Sequence, residues 1–276
     1  MPVPITRIVD VVQTSRDLGS GCSMKISVIT VVYNAQDTIL DALQSVANQT
    51  YPNVEHIVID GASTDGTVAL IEAAEVKPAQ FVSEPDSGIY DAMNKGIALA
   101  SGDVIGLLNA DDVFQDETVL TQVAEALRDP AYDACHANLV YVKTDDTRHV
   151  TRYWKSRSHT PGLCFTGWMP AHPTFYLRRS TYDRIGAYRT DLRYQSDLEF
   201  CARAFEVYAI RSRYVDSLWV RMRLGGVTNN SVKTMWRGNW ESYHALRQLG
   251  LKRSPLGYFF LKFSAKIPQF FRRHRV

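Results

Sequence analysis

The hydrophobic and polar positions after Lys25 follow two alternating patterns. Short runs rich in β-branched residues (ISVITVV, NVEHIVID, AQFVS and DVIGLL) predict four buried strands. Between them, stretches such as AQDTILDALQSVANQ place apolar residues at every third or fourth position and predict amphipathic helices. Strands that alternate with helices indicate βαβ units. We therefore predict an α/β fold with a mostly parallel, Rossmann-like sheet flanked by helices.

The second and third predicted helices begin after polar residues. Ser63 or Thr64 is expected to cap the second helix, and Asp86 or Ser87 the third. After Phe114 the pattern is less regular. It predicts, in order, a helix over about Glu117–Arg128, strands in YDACHANLVYV and TRYWKS, a loop from Ser156 to Pro173, a strand in HPTFYLRR, helices in STYDRIGAY and SDLEFCARAFEVY, and a late strand in AIRSRYVDSLWVRMR.

Polar side chains directly follow each of the four strands predicted in the first half. They are Tyr33 and Asn34, then Asp60, then Glu84 and Asp86, and finally Asn109, Asp111 and Asp112. Ligands of parallel sheets bind outside the carboxyl ends of the strands, so we expect these side chains to meet at one edge. A single acid there is usually a cap or turn residue. Acids after three successive strands instead favour a binding site.

The first of these turns, VVYNAQDT, contains no glycine. This argues against a dinucleotide site and a P-loop, which both need glycines for close approach of the backbone to phosphates. If a diphosphate binds this acidic edge, a divalent cation has to bridge the two. Mg²⁺ is commonly held by one or two carboxylates together with substrate phosphates, and Asp111 and Asp112 fit that need. The alternative for this pair is a solvated turn that caps the helix near Glu117.

Three segments of the first half carry a resemblance to a known family. ISVITVVYNAQDTILDALQSVANQTYPNVEHIVIDGASTDGT, SEPDSGIYDAMNKGIALASGD and IGLLNADDVF are similar to the nucleotide-sugar half of the inverting family-2 glycosyltransferases, which have a GT-A fold. The similarity runs without a break from about Lys25 to Phe114. The donor-binding residues that the resemblance implies are Thr30, Tyr33, Asn34, Asp60, Ser63, Asp65, Asp86, Gly88, Lys95, Asn109 and Ala110.

The same resemblance implies a metal site. NAD occupies the place of the family's D-x-D motif, which makes Asp111 the main ligand of a divalent cation, Mg²⁺ or Mn²⁺, with Asp112 beside it. The departure from the motif is Asn109, a neutral amide that supplies no charge. We therefore expect the metal to bind together with the donor, whose diphosphate contributes its own oxygens.

The second half resembles the acceptor-binding part of the family. In YRTDLRYQSDLEF, Asp197 matches the catalytic base, and Ser196 replaces a glutamate that is common in the family; the alternative for Asp197 is a helix-start acid stabilised by the helix dipole. In TGWMPAHPTFYLRRS, Trp168 is expected to stack on a sugar or to pack in the core. His172 is expected to contact acceptor or diphosphate, or to be structural. LGGVTNN resembles a loop that closes over the donor, or is a plain turn.

Charge and composition add information mainly at the C-terminus. The net charge of +2 gives no indication of nucleic acid, but residues from Leu251 to Val276 include seven Lys/Arg and no acid, mixed with aromatics. Such a segment suits a helix at an anionic membrane surface; the alternative is a helix packed on the body. The four scattered cysteines predict free thiols. Without a signal peptide or an apolar run of roughly 18 residues, we expect a cytoplasmic protein, peripheral at the cytoplasmic face of the membrane.

Three regions are expected along the chain. Residues 1–23 are a flexible extension, 24–250 a GT-A domain (24–115 the nucleotide-sugar half and 116–250 the acceptor half), and 251–276 a basic amphipathic tail. The resemblance implies inverting transfer of a sugar, from a UDP-linked donor, to a saccharide or lipid-linked saccharide in polysaccharide or glycolipid biosynthesis. Asn109 and Ser196 favour one alternative, a noncatalytic nucleotide-sugar-binding scaffold or regulator. A nucleotidyltransferase on a similar fold is the third.

Overall fold

The computed structural model of the chain describes residues 23–224 and 232–264. Its strands are β1 (Ile26–Val32), β2 (Val54–Asp60), β3 (Gln80–Ser83), β4 (Val104–Leu107), β5 (Asp112–Phe114), β6 (Ala134–Val142), β7 (Val150–Trp154), β8 (Tyr176–Arg178) and β9 (Ser212–Arg223). Its helices are α1 (Ile39–Ala47), α2 (Thr67–Ala73), α3 (Ile89–Leu99), α4 (Val119–Ala126), α5 (Arg179–Ile185), α6 (Ser196–Ala202), α7 (Val232–Gln248) and α8 (Pro255–Ser264). A wider helical turn over Arg203–Val207 extends α6.

The first four strands form a parallel sheet in the order β3-β2-β1-β4. Because side chains alternate along a strand, each face of the sheet packs against a different helix layer. Ile29 and Ile57 pack with Met93 of α3, whereas Val58 packs with Leu43 of α1. The βαβ organisation predicted from the sequence is confirmed here, and all four parallel strands end at the same edge.

Beyond β4 the sheet continues as β8-β6-β9-β5, with β7 paired to β6. The pairings β4–β8, β6–β8, β6–β7 and β5–β9 are antiparallel, and β6–β9 is parallel. The parallel sheet expected from the sequence therefore describes the first half, and the second half is mixed. Short connections such as the one between β6 and β7 leave no room for a helical crossover, so these neighbours run antiparallel.

The two halves of the sheet meet at Gly106 of β4 and Tyr176 of β8. A Cβ atom at position 106 would lie 2.1 Å from a ring carbon of Tyr176. The Tyr176 ring is fully buried and lies edge-on to Trp219 of β9, with 6.1 Å between ring centroids. The close packing of β4 against β8 therefore requires glycine at position 106.

The predicted side-chain caps of α2 and α3 are wrong. α2 begins after Gly66 and α3 after Gly88, and neither helix start receives a side-chain cap hydrogen bond. The Ser63 hydroxyl donates to Asp60 instead, and Asp86 accepts a hydrogen bond from the Gly88 amide. These side chains are used within their own loops and do not reach the helix amides.

Strand β5 was not predicted from the sequence. It has only three residues and pairs antiparallel with β9, so that Asp112 lies opposite Met222 and Phe114 opposite Val220. This pairing places Asp112 inside the sheet, where it is fully buried. The interpretation of Asp111 and Asp112 as a solvated turn before α4 is therefore wrong for Asp112.

The chain from α7 to α8 forms a helical hairpin on the body of the protein. Tyr258 and Lys262 of α8 are buried, and both contact the Ser242 hydroxyl of α7, at 3.0 and 2.9 Å. The described part of the predicted tail thus packs on the body. Residues 1–22, 225–231 (which include most of LGGVTNN) and 265–276 lie outside the described residues. Within the described ranges, no helix is both long and apolar enough to cross a bilayer.

Candidate active site

Asn34 joins the loops that follow β1 and β2. Its backbone φ of +49° lies in the left-handed region, which asparagine adopts more readily than most residues. The side-chain oxygen of Asn34 accepts a hydrogen bond from the Thr64 amide at 2.8 Å, and the Asn34 amide donates to the Ser63 hydroxyl at 2.8 Å. Tyr33, directly before it, is 62% exposed. The predicted donor residues Tyr33, Asn34 and Ser63 therefore share one surface at the sheet edge.

Asp60 and Thr30, both predicted to contact the donor directly, are fully buried. The Asp60 carboxylate accepts hydrogen bonds from the amide and hydroxyl of Ser63, at 3.0 and 2.5 Å, and from the Ser83 hydroxyl at 2.6 Å. The Thr30 hydroxyl lies 2.9 Å from His56 Nε2. In this structure Asp60 holds Ser63 in place at the edge, and Thr30 bonds to the neighbouring strand; a direct contact of either residue with the donor stays a prediction.

Asp86 reaches the same edge from the loop after β3. A Cβ atom on Gly61 would lie 2.5 Å from the Asp86 carboxylate and 3.5 Å from the Tyr33 ring, so the three residues are in close contact. Gly88, at φ +122°, turns the chain into α3 and donates its amide to Asp86 at 2.8 Å. The structure therefore brings Asp86 and Gly88 beside Tyr33, as the sequence predicted.

Asp65 and Lys95 are engaged in local contacts. Asp65 accepts hydrogen bonds from the hydroxyl and amide of Thr67, and the hydroxyl contact above all lowers the pKa of Asp65. Lys95 forms an ion pair with Glu84 at 2.8 Å and donates to the Pro85 carbonyl at 2.9 Å. Both residues fix the shape of the loops around the edge.

The acids after β4 are only partly compensated. Asp112 is fully buried, and Asn109 Nδ2 donates to one of its oxygens at 3.3 Å. The other carboxylate oxygen of Asp112 and the side-chain oxygen of Asn109 are buried without a hydrogen-bond partner. Burial raises the pKa of Asp111 and raises that of Asp112 further, since Asp111 adds its own negative charge. Unsatisfied hard oxygens and unfavourable carboxylate charge are what a divalent cation would relieve. Ala110, between them, is buried against α1.

Arg223 is a buried cation next to these acids and was not predicted. Its guanidinium donates to the Asp111 carbonyl at 3.0 Å and forms an ion pair with Asp41 of α1. The positive charge of Arg223 opposes the effect of burial on the pKa of Asp111 and Asp112. The available signal was a charged residue at the end of the predicted late strand, but Asp111 and Asp41 are more than a hundred positions away in sequence.

Asp197 lies at the start of α6, half-buried, and contacts Tyr90 of α3. The Tyr90 hydroxyl is 3.3 Å from the Asp197 carboxylate, and the Leu198 amide donates to the same oxygen at 2.8 Å. Burial and the charge of Asp197 raise the pKa of Tyr90, which keeps its phenol protonated as a donor. Tyr90 was also missed, although it lies inside the DSGIYDAMNKGI segment.

Tyr141 of β6 has a buried ring, with the Arg152 guanidinium 4.3 Å from its centroid. Burial raises the pKa of Tyr141, the charge of Arg152 opposes this rise, and the charges of Asp112 and Asp197 add to it. One acid predicted as a metal ligand and the acid predicted as the base therefore both act on this residue.

Trp168 and His172 occupy structural positions. Trp168 is half-buried among His136, His159 and Phe205, with ring centroids about 6 Å away in each case. His172 is buried with its Nε2 atom 2.9 Å from the Tyr188 hydroxyl, and burial lowers its pKa against the opposing charge of Asp197. The sequence left a ligand contact and a structural role open for each residue. In this structure both side chains are packed against protein groups.

A second group of potential metal ligands is satisfied by its own hydrogen bonds. His159, Cys164 and Glu206 lie within ligand distance of one another. The Glu206 carboxylate, however, accepts hydrogen bonds from His159 Nε2 and from the amides of Gly162 and Cys164, at 2.7–3.0 Å. This contact ties the loop before β8 to the end of α6. Cys135, Cys164 and Cys201 are buried free thiols, as expected.

Comparison with known proteins identifies the family. The family model for glycosyl transferase family 2 matches residues 27–190, more than half of the chain. The chain belongs to glycosyltransferase family 2. An uncharacterized glycosyltransferase, Rv1514c of Mycobacterium tuberculosis, is 35% identical over 182 residues, covering 65% of this chain and 68% of the relative. A PGL/p-HBAD biosynthesis glycosyltransferase of Mycobacterium bovis is 29% identical over 211 residues, covering 75% and 80%.

Solved structures confirm the GT-A fold of this glycosyltransferase. TarS of S. aureus (residues 1–349), in complex with UDP-GlcNAc, matches with a TM-score of 0.65 at 18% identity, over 90% of this chain and 78% of that one. The mannosyltransferase PcManGT of Pyrobaculum calidifontis, in complex with GDP-Man and Mn²⁺, matches with a TM-score of 0.61 at 19% identity, over 89% and 70%. At these identities the likeness concerns the fold.

Proposed function

We propose that this glycosyltransferase moves a sugar from a UDP-sugar to a hydroxyl of a saccharide or lipid-linked saccharide, with inversion at the anomeric carbon. The observation that carries the proposal is the pair of buried, partnerless oxygens of Asn109 and Asp112, beside Asp111, after one of the four parallel strands. Asp197 adds a half-buried carboxylate that accepts a hydrogen bond from Tyr90 of α3, the helix that follows the loop after β3. The TarS complex with UDP-GlcNAc and the PcManGT complex with GDP-Man support a nucleotide-sugar donor.

The donor is expected to bind at the edge formed by the loops after β1, β2 and β3. Tyr33 offers an exposed ring on which a nucleotide base can stack, and Asn34 and Ser63 offer polar groups held in place by Asp60. Asp86 and the start of α3 border the path from the base to the acids after β4.

The residues after β4 fit a divalent cation, Mg²⁺ or Mn²⁺. Asp111 would hold it, with Asp112 and the Asn109 oxygen beside it, and the bound cation supplies positive charge against which a diphosphate leaves. The partnerless oxygens of Asn109 and Asp112 are the structural support for this set. Because Asn109 contributes no charge, tight metal binding is expected only together with the donor phosphates.

Asp197 acts as the general base. The acceptor oxygen attacks the anomeric carbon as the bond from that carbon to the diphosphate oxygen breaks, and the hydroxyl proton passes to the Asp197 carboxylate. The electron pair of the broken bond leaves with the nucleoside diphosphate. Tyr90 and the Leu198 amide both donate to one Asp197 oxygen, which orients the other toward the acceptor.

The proposed acceptor class rests on a relative, and the proposed location of the protein rests on the basic C-terminal segment. A relative named for PGL/p-HBAD biosynthesis supports a glycolipid or cell-surface polysaccharide product. We place the protein in the cytoplasm, peripherally at the cytoplasmic face of the membrane, with residues 251–276 as the contacting segment.

Donor turnover tests the proposal. Wild-type protein, Mn²⁺ and a panel of UDP-sugars and acceptors should release nucleoside diphosphate, and both Asp197→Asn and Asp111→Asn should abolish release. Asp145→Asn, an exposed acid in the β6–β7 turn, is the matched control and should leave the rate unchanged. Donor binding without turnover across the panel would favour the noncatalytic scaffold or regulator, and pyrophosphate release would indicate a nucleotidyltransferase.

A further inference from the structure

The outer side of the α7–α8 hairpin carries a row of exposed large apolar side chains. They are Trp236 (56% exposed), Trp240 (41%), Leu256 (84%), Phe260 (74%) and Phe263 (50%), named here the hairpin face. Trp236 and Trp240 are four residues apart and therefore lie on one side of α7. Half-buried Phe259 joins the two helices, with its ring centroid 6.1 Å from that of Trp236 and 5.6 Å from that of Trp240. Phe259 thus joins the tryptophan side of α7 to α8, on which Leu256, Phe260 and Phe263 share one side at helical spacing.

The same hairpin carries exposed basic residues. Arg237 follows Trp236 on α7, Lys252 and Arg253 lie in the turn between the helices, and the sequence from Leu251 onward contains no acid. The one acid of α7, Glu241, is directed inward, where its carboxylate accepts hydrogen bonds from the backbone amides of residues 193–195. The surface therefore presents aromatic and basic groups together, with no described acid on either helix facing outward.

We propose that the hairpin face docks on an anionic lipid bilayer and lies in its interfacial layer. Helices with Trp, Phe and Leu on one side and Lys or Arg around them bind such interfaces, and tryptophan favours the depth of the lipid headgroups. A second copy of this chain is a less suitable occupant, because a symmetric contact would bring two sets of basic residues together.

The inner side of the same hairpin holds the segment that leads to Asp197. Glu241 accepts from the amides of Arg193, Tyr194 and Gln195, at 3.1, 2.7 and 2.8 Å, and Lys262 donates to the Gln195 side chain at 3.3 Å. Docking would therefore fix the segment that leads to Asp197 relative to the membrane that carries a lipid-linked saccharide. This second part rests on the proposed function.

Vesicle co-sedimentation of the full chain, without donor or metal, tests the docking. Wild type should bind phosphatidylcholine vesicles containing phosphatidylglycerol at least about tenfold more strongly than phosphatidylcholine alone. The triple variant Trp240→Ser/Phe260→Ser/Phe263→Ser should lose at least about tenfold of that binding. The matched control Leu40→Ser/Val76→Ser/Leu99→Ser removes three exposed apolar residues of the first half and should bind like wild type.

A conservative variant locates the contact. Trp236→Phe/Trp240→Phe keeps the apolar surface, so it should bind vesicles like wild type but lose most of the blue shift in tryptophan emission on binding. Equal vesicle binding by wild type and the triple variant would overturn the proposal. A dimer in analytical ultracentrifugation that the triple variant abolishes, with no vesicle binding by wild type, would assign the face to a second copy.

Turnover separates this inference from the proposed function. If the triple variant keeps the wild-type rate of nucleoside diphosphate release with a soluble acceptor but loses it with a vesicle-embedded acceptor, docking serves acceptor delivery. Equal rates on both acceptors would contradict that link. Vesicle binding by a chain that turns over no donor would preserve the docking and reject the transferase proposal.

Discussion

Substitution of Asp112 by asparagine should stabilise the protein when no metal is present. Asp112 is fully buried, one of its oxygens has no partner, and the charge of Asp111 lies beside it. Asparagine keeps the shape of the side chain and removes the charge. A buried polar group without a partner costs about 1–3 kcal/mol, and more when it is charged. For a domain of this size each kcal/mol is worth about 2–4 °C, so Tm in EDTA should rise by about 2–12 °C.

Added metal and nucleotide should reverse the order of the two Tm values, so that wild type melts above Asp112→Asn. A ligand that binds the folded state at about a hundred times its Kd adds about 2.7 kcal/mol of stability. Wild type should therefore gain several degrees when Mn²⁺ and UDP are added, and Asp112→Asn should gain little. Thermal unfolding of both proteins and of Asp145→Asn, in EDTA and with ligands, measures the crossover. If Asp112→Asn melts at or below wild type in EDTA, the buried charge is not destabilising and the reasoning fails.

Three further predictions concern the same structure. Asn109→Asp should bind Mn²⁺ without donor about tenfold more tightly by calorimetry; unchanged affinity would contradict the coupling of metal and donor. Tyr90→Phe should lower kcat about tenfold at an unchanged donor KM, by loss of its hydrogen bond to Asp197; a rise in KM alone would assign Tyr90 to binding. Burial raises the pKa of Glu55, but hydrogen bonds, chiefly from Ser27 and Ser101, outweigh it and bring the pKa to about 2. Glu55 therefore stabilises the fold above its ordinary pKa of 4.5, and the urea stability difference between wild type and Glu55→Gln should shrink as pH falls from there toward 2.

The elements that the sequence predicted well are those whose signal is local. β1 and β2 are continuous β-branched runs, and their predicted ends are close to the observed ones. β5 was missed because three residues carry no period, and only its pairing with β9 makes it a strand. The predicted cap at Ser63 failed for a related reason, since its hydroxyl donates to Asp60 and accepts from the Asn34 amide, and both partners lie outside the helix.

The predictions for the candidate site also succeeded for some residues and failed for others. The ends of parallel strands brought Tyr33, Asp86 and Asp111 to one edge because topology alone requires it. Which side chains reach the surface depends on packing, and Asp60 turned out to be buried under its own hydrogen bonds. Tyr90 is 107 residues from Asp197 in sequence, a separation at which no local pattern can indicate contact.

The contact between Gly106 and Tyr176 constrains how the two halves of the molecule can be exchanged. Chimeric enzymes that combine one donor half with the acceptor half of another protein would be cut close to β4 and β8. The missing Cβ of Gly106 and the Tyr176 ring fill the same space, so neither can be inherited without the other. A recombinant should therefore keep both residues from one parent, and a graft that pairs the Tyr176 ring with alanine at 106 would separate the very strands it is meant to join.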